Sequence, residues 1–449
     1  MKPFKVFKKN FKKRALLRIY EDSIKNKPST GIDGIGINVF DKRVDDEIDI
    51  INRKVLAKTY NFSFYKERLI SKGKEKFPRV ISIPTLRDKI VLKSIFNTLY
   101  EIYQDDLSNE LIHTKIDKIR ATIESKKYDS FIKIDIENFY PSINHDVLFK
   151  ILRKKTRKKE FLDLIDKAVT QETVSKSHRG IPKYSNEKGV PQGLSISNIL
   201  ASIYFVEFDK KHTSTIHTEY DYYRYVDDIL IMCNTDDIDK IYDGIKQDMD
   251  ELKLTIHEIG KSEEKTAYGK IDTGFYFLGY QYSNKLISVR NSSINNLHNS
   301  IVDIFTQYKH SQDKDVDLLL WKLNLKITGC RFKDKKYGWL YFFSQINDKT
   351  LLFKLDIYVE KMFKKFSIDY EKDKVKKFIR TYFEILKNRT ETNYIPNFSE
   401  YTNKQKKEIL RDVFKVVNVS SWSSVKIEDV FDSIIYKSIK DMEKDIQMY

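Results

Sequence analysis

Two adjacent aspartates, Asp227 and Asp228, interrupt an otherwise continuous strand-forming run from Tyr222 to Cys233. Arg224, Tyr225 and Val226 precede them, and Ile229, Leu230, Ile231 and Met232 follow. Strand interiors disfavour Asp, and neighbouring carboxylates repel unless a cation intervenes. A tight hairpin turn that carries a metal ion resolves both conflicts. For the dipeptide alone, an ordinary solvent-exposed Asp-Asp turn is the alternative.

A second acid belongs with them. From Phe131 to Ile136 the chain alternates, with Ile132, Ile134 and Ile136 on one face and Phe131, Lys133 and Asp135 on the other. Asp135 stands at the end of this strand; Phe139-Tyr140 follows, and Pro141 ends the run. Two such strands side by side would bring Asp135 within metal-bridging distance of Asp227 and Asp228. Mg²⁺ prefers oxygen ligands and is usually held by carboxylates together with substrate phosphates. Two such ions activate an attacking hydroxyl and stabilise a leaving pyrophosphate. Taken alone, a buried Asp is more simply a capping or structural acid. A third block, Gly189-Val190-Pro191-Gln192-Gly193-Leu194-Ser195-Ile196-Ser197-Asn198, opens an apolar helix from Ile199 to Phe205. Its glycines and small polar residues let a polymer backbone approach closely.

Around these blocks the middle third alternates short strands with helices, as an α+β fold requires. Residues 1–28 and 45–60 read as helical, residues 62–84 as a strand pair around a basic loop, and residues 88–103 as a helix. Lys253–Ile256 and Gly274–Tyr282 are further strand candidates. Beyond about residue 290 the strand pattern fades and amphipathic helices dominate. No window approaches about 18 consecutive apolar residues, the N-terminal stretch has no apolar segment behind its charges, and only Cys233 and Cys330 are present. These features point to a cytoplasmic protein without disulfides, a four-Cys zinc site or a membrane partner. Lys and Arg number 82 against 65 Asp and Glu, a net charge of +17. That surplus suits a polyanion, although a base-biased genome gives the same composition.

The three blocks, in this order, resemble the palm of reverse transcriptases. The resemblance runs over roughly residues 29–285. Upstream, Ser29–Gly34 looks like the N-terminal extension of group II intron-type enzymes, and Pro78–Asp88 like their fingers motif. Downstream, Glu264-Lys265-Thr266 resembles the palm lysine block and Phe277-Leu278-Gly279-Tyr280 the primer grip. The resemblance implies a right-hand polymerase fold: N-terminal extension and fingers over 1–130, a palm with an antiparallel sheet over 131–285 (fingers insertion about 150–188), and an α-helical thumb and C-terminal region over 286–449.

It also implies roles. Asp135, Asp227 and Asp228, with the Ile136 carbonyl, would hold two Mg²⁺ ions, Mn²⁺ being the alternative metal. Tyr140 would be the steric gate against a ribose 2′-hydroxyl, with core packing as its other reading. Arg79, with Lys74 or Lys76, would clamp the incoming triphosphate, unless those lysines are only a solvated loop. Gln192 and Gly193 would sit under the nascent base pair. Lys265 would protonate pyrophosphate, with Lys261 as the alternative. Phe277–Tyr280 would hold the primer end or form a buried aromatic strand.

The activity implied is RNA-directed DNA synthesis from dNTPs, with an RNA template and a DNA product or primer as partners. A protein partner or a second copy of the chain is left open. The stretch Pro191 to Asp209 and the runs Leu325–Phe332 and Tyr337–Gln345 look most like abortive-infection and other defence-associated bacterial enzymes, which implies a dedicated non-coding RNA and antiphage defence. Untemplated or protein-primed DNA synthesis, RNA synthesis on the same palm, and a catalytically silent RNA-binding scaffold are the competing readings. In the C-terminal region, Lys361–Lys365 and Lys372–Arg380 interleave cations with Phe363, Phe366 and Phe378. That spacing suits either a backbone-tracking groove or the wet face of a helical bundle.

Overall fold

The computed structural model describes residues 3–25, 29–71, 77–108, 110–178, 180, 186–213, 219–260, 265–388 and 392–446. Two compact units divide the chain: Met1–Lys115 with Ser125–Lys270, and Ile116–Glu124 with Ile271–Tyr449. Its class is α+β, with antiparallel sheets and a mainly helical C-terminal region, as the sequence implied.

In the first unit, strands β1 (Tyr65–Ile70) and β2 (Arg79–Ile83) form an antiparallel pair whose register runs from Lys66 opposite Ile83 to Ile70 opposite Arg79. β3 (Ser130–Asp135) follows, and β4 (Thr173–Val174) then pairs parallel with β1, so that sheet has the order β2-β1-β4. The main sheet adds β5 (Tyr220–Tyr225), β6 (Asp228–Cys233) and β7 (Ala267–Lys270) to β3, in the antiparallel order β5-β6-β3-β7. Ile229, Leu230, Ile231 and Met232 of β6 and Ile132 and Ile134 of β3 are fully buried. Each such side chain contributes roughly 1.5–3 kcal/mol by leaving water. Burial of β6 from Ile229 to Cys233 explains its unbroken apolar run: a strand covered on both faces has no reason to alternate.

Helix Leu86–Tyr103 begins where Thr85 accepts the Asp88 backbone N–H, and it buries Ile90, Val91, Ile95 and Leu99. Lys253–Ile256 does not become a strand. Only an isolated bridge between Ile136 and Ile256 forms there, because Lys253 takes a left-handed turn immediately after helix Ile238–Glu251.

In the second unit, β8 (Phe275–Phe277), β9 (Tyr280–Ser283) and β10 (Leu286–Val289) make an antiparallel meander. Helices follow, including Asn291–His310, Val316–Thr328, Lys349–Lys365, Phe378–Lys387 and Ser424–Met442. The helical expectation misses one hairpin, β11 (Cys330–Phe332) with β12 (Lys335–Tyr337), turned through left-handed Lys333 and Asp334. Its strands of three residues are too short for alternation to register. Among the described residues no helix is long and apolar enough to cross a membrane, and Cys233 and Cys330 are buried free thiols.

Candidate active site

β5 and β6 meet at a two-residue turn. Tyr225 pairs with Asp228, leaving Val226 and Asp227 at the tip. Val226 has φ +55°, which a β-branched residue adopts only under compulsion. The compulsion is visible. Arg224 Nη1 donates to the Val226 carbonyl at 2.9 Å, and the guanidinium is itself locked from behind. Its Nε donates to Asp209 Oδ1 at 2.7 Å, its Nη2 donates to Oδ2, and the Tyr222 hydroxyl donates to the same carboxylate at 2.7 Å. The guanidinium also lies 4.5 Å from the Phe205 ring centroid. A planar fork on a carboxylate fixes direction as well as distance, so the turn hangs from a rigid bracket.

β3 runs alongside β6 in a register that sets Asp135 directly opposite Asp228. Residues so paired hold their Cβ atoms about 4.5–5.5 Å apart on one face of the sheet. Asp227 completes the group. Burial first, and then the negative charge of Asp135, push its carboxyl above the usual range, while Arg79 and Lys265 pull it down. Asp135 and Asp227 thus share one electrostatic neighbourhood, and Asp228 stands opposite Asp135 in the strand register.

Asp135 is engaged by two basic side chains. Lys265 Nζ donates to its Oδ2, and His257 Nε2 stands 3.3 Å from the same oxygen and 3.1 Å from the Lys265 ammonium. His257 Nδ1 faces Glu137 Oε1 at 3.1 Å. The Asp135 carbonyl accepts the His257 N–H, and the Glu137 N–H goes to Thr255. Since backbone groups alternate along a strand, the Ile136 carbonyl points the other way, to the β6 side.

Hard divalent cations take such donors: carboxylates that destabilise one another when unneutralised, beside a backbone oxygen. Among the described residues no group of three or more His, Cys, Asp or Glu side chains is arranged to hold a metal ion. Substrate oxygens and waters would have to complete any coordination that these acids begin.

After β3, Asn138 turns left-handed (φ +44°) into the single helical turn Phe139–Ser142. Phe139 is buried against Phe205, and the Tyr140 hydroxyl donates to Asn198 Oδ1 at 2.7 Å. Burial, and then the charge of Asp227, push the Tyr140 phenol up to about 12. The Pro-Gln-Gly loop packs beside it: Val190 N–H donates to the Tyr140 carbonyl at 2.8 Å, and the Gln192 carbonyl accepts the Ser82 N–H at 2.7 Å. Gly193 has φ +98°, and a Cβ there would meet Ile81 Cγ2 at 2.6 Å. Arg79 is exposed at the start of β2. The fold therefore gathers Asp135, Ile136, Asp227, Asp228, Lys265, Arg79, Tyr140, Gln192 and Gly193 in one unit.

Lys74, Lys76 and Lys261 lie outside the described residues. Phe277–Tyr280 belongs to the second unit, as the turn between β8 and β9. Leu278 and Gly279 form its tip with φ +52° and +81°, while the Phe277 and Tyr280 rings are buried and the Tyr280 hydroxyl donates to the Phe342 carbonyl at 2.8 Å.

Sequence reasoning gave no role to Asp209, Glu137, Asn198 or His257. Only Asp209 left a signal: Tyr222 and Arg224 share a strand face, and a buried guanidinium requires a buried acid.

Residues 70–282 match the family described as reverse transcriptase (RNA-dependent DNA polymerase), and this segment is a reverse transcriptase domain. Its curated relatives include a group II intron-encoded protein. The chain is 25% identical over 199 residues to the group II intron-encoded protein LtrA of Lactococcus lactis subsp. cremoris, covering 42% of this chain and 32% of that protein. It is 24% identical over 200 residues to protein YkfC of Escherichia coli K12 (42% and 51%) and 26% identical over 195 residues to the putative COX1/OXI3 intron 2 protein of Saccharomyces cerevisiae (42% and 21%). The matched parts thus span from about a fifth to about half of these relatives. Among solved structures, telomerase from Candida albicans with a fragment of telomeric RNA aligns at TM-score 0.42 and 14% identity, over 87% of this chain and 68% of that one.

Proposed function

We propose that the chain is an RNA-directed DNA polymerase that extends a 3′ hydroxyl with dNTPs by a two-metal mechanism, most simply with Mg²⁺. The observation that carries this reading is the register that sets Asp135 opposite Asp228, with Asp227 at the adjoining tip. In such a site, bound divalent ions lower the pKa of the attacking hydroxyl and neutralise the departing pyrophosphate.

The chain's own residues do the rest. Asp135, Asp227, Asp228 and the Ile136 carbonyl hold the ions, and the Arg224–Asp209 bracket fixes where two of those carboxylates stand. Arg79, with Lys74 or Lys76, orients the triphosphate. Tyr140, its hydroxyl tethered to Asn198, fills the space a 2′-hydroxyl would need, and Gln192 and Gly193 support the nascent pair. Lys265, steered by His257, holds a proton beside Asp135 for the leaving pyrophosphate. With its rings buried, the Phe277–Tyr280 segment offers a primer its turn backbone.

The template is RNA, in the defence reading a dedicated non-coding RNA used against phage. That part rests on the resemblance of Pro191–Asp209 and of the C-terminal runs to defence-associated enzymes. The test is primer extension with labelled dNTPs on an RNA template, comparing wild type with Asp227→Asn and Asp228→Asn. Both variants are expected to lose synthesis by at least about 10³-fold, the scale of a missing electrostatic catalytic group, while binding RNA like wild type. Retained synthesis would overturn the assignment, and wild type that binds RNA but never extends a primer would favour the scaffold.

A further inference from the structure

Far along the chain from the catalytic acids, the second unit holds a cavity of about 610 Å³, within the ordinary range for ligand sites. Four cations line it, Lys372, Lys376, Lys377 and Arg380, against two acids, Asp373 and Glu384. Glu384 is already committed: the Asn388 amide and the Thr392 hydroxyl donate to it at 2.8 and 2.7 Å, and Arg380 reaches it only at 4.0 Å. Among the described residues Lys372, Lys376 and Lys377 make no ion pair.

These cations sit on a pinned backbone. The Asn324 carboxamide donates to the Lys374 carbonyl at 2.7 Å and accepts the Lys376 N–H at 2.8 Å. Asp356 accepts the Phe378 and Ile379 N–H groups at 2.6 and 3.3 Å, capping the helix that carries Arg380. The Tyr394 hydroxyl accepts the Lys377 N–H at 2.7 Å. Fixed this way, Lys376 and Arg380 both lie on the Tyr394 ring, at 4.3 and 4.2 Å from its centroid. Burial, and then the positive charge of Arg380, lower the Lys376 pKa below its ordinary value. Two cations held together, with only the Glu384 carboxylate at 4.0 Å from Arg380 as counter-ion, are a cost that a bound anion removes.

We propose that this cavity is a second nucleic-acid contact, which grips the phosphodiester backbone of a single strand, RNA template or DNA product, by charge and not by base identity. The covered Tyr394 ring explains the second half of that statement, since little of its π face is left for a base to stack on. A strand, and not a free nucleotide, fits the four cations that line the cavity, more than one phosphate needs. The proposal rests on the reading that the chain works on nucleic acid, but it needs no catalysis.

The experiment measures binding of the full chain to labelled 20-nucleotide RNA and DNA strands by fluorescence anisotropy, in EDTA without dNTPs, from 50 to 300 mM salt. Removing the cation that neutralises one phosphate lowers the slope of log K against log salt by about 0.7 for single strands. The double variant Lys376→Gln/Arg380→Gln should therefore flatten the slope by about 1.4 and weaken binding at least about fivefold at 100 mM salt. A thermal melt checks that it folds, and the single variant Lys377→Gln, whose tie to Tyr394 runs through its backbone, should flatten the slope by about 0.7. Weakening confined to RNA assigns the site to the template, weakening confined to DNA to the product, and weakening of both to whichever strand passes; each supports the proposal. The control pair Lys437→Gln/Lys440→Gln, exposed elsewhere in the same unit, removes the same charge. An effect equal to that of the control would overturn the proposal, as would an unchanged slope or displacement of the strand by equimolar dATP. Including Asp227→Asn separates the two readings, because its metal-free slope should equal that of wild type whether or not it polymerises.

Discussion

Replacing Asp209 with alanine removes the carboxylate that receives two guanidinium N–H groups of Arg224 and the hydroxyl of Tyr222. What remains is a guanidinium side chain only 10% exposed, with no counter-ion, and a phenol without its acceptor. Breaking a buried ion pair from one side costs about 3–5 kcal/mol. The Asp209 side chain is 27% exposed, so water relieves part of that charge and the lower end applies. The orphaned hydroxyl adds about 1 kcal/mol, for a total of about 4 kcal/mol. Urea unfolding of Asp209→Ala, Arg224→Met and the double variant measures it. The double variant should recover at least about 2 kcal/mol relative to the sum of the singles, since it leaves no stranded charge. Primer extension should fall as well, by roughly 10–100-fold, because the Val226 carbonyl loses its tether and the carboxylates shift. A single-variant loss under about 1 kcal/mol, or a coupling near zero, would refute the bracket.

Three further outcomes follow from the same geometry. Tyr140→Ala should admit ribonucleotides in an incorporation assay with paired dNTP and rNTP, whereas Tyr140→Phe, which loses only the bond to Asn198, should stay selective and cost about 1 kcal/mol. Gly193→Ala must place a methyl 2.6 Å from Ile81 Cγ2 at φ +98°, so it should lower stability by about 1–3 kcal/mol and loosen the Ser82–Gln192 contact, read as a lower melting temperature and a raised KM for dNTP. Asp88, fully buried and accepting from Tyr60, Thr85 and Ser63, has its carboxyl pushed up to about 6 by burial. The folded state then holds its proton more tightly than the unfolded chain, so stability should fall as pH rises from about 4 to about 6, by about 3 kcal/mol, and be flat above; the same titration on Asp88→Asn should lack that step.

Where the sequence spoke clearly, it did so through conflict or period. Two acids inside an apolar strand run have few ways to be tolerated, and the turn at Val226-Asp227 is one of them. Helix Leu86–Tyr103 is legible because its buried positions recur at helical spacing. β4 is not, being two residues long and held by parallel pairing to a strand about a hundred residues earlier. The partners of the candidate-site acids are equally silent. Nothing near His257 announces that its ring will stand between Asp135 and Glu137, and Asn198 meets Tyr140 only because the Pro-Gln-Gly loop folds onto the turn after β3. Such contacts are made by tertiary packing and carry no local period.

The order of strands in the main sheet also bears on how the chain is made. β3 leaves the ribosome roughly ninety residues ahead of its partner β6, and the far neighbour β7 comes later still. At about 5–20 residues per second of synthesis, Phe131-Ile132-Lys133-Ile134 waits roughly 5–18 s as an unpaired apolar strand. Such an exposed edge is a ready template for aggregation, so recombinant yield should respond to slower growth temperature and to co-expressed chaperones that shelter nascent chains.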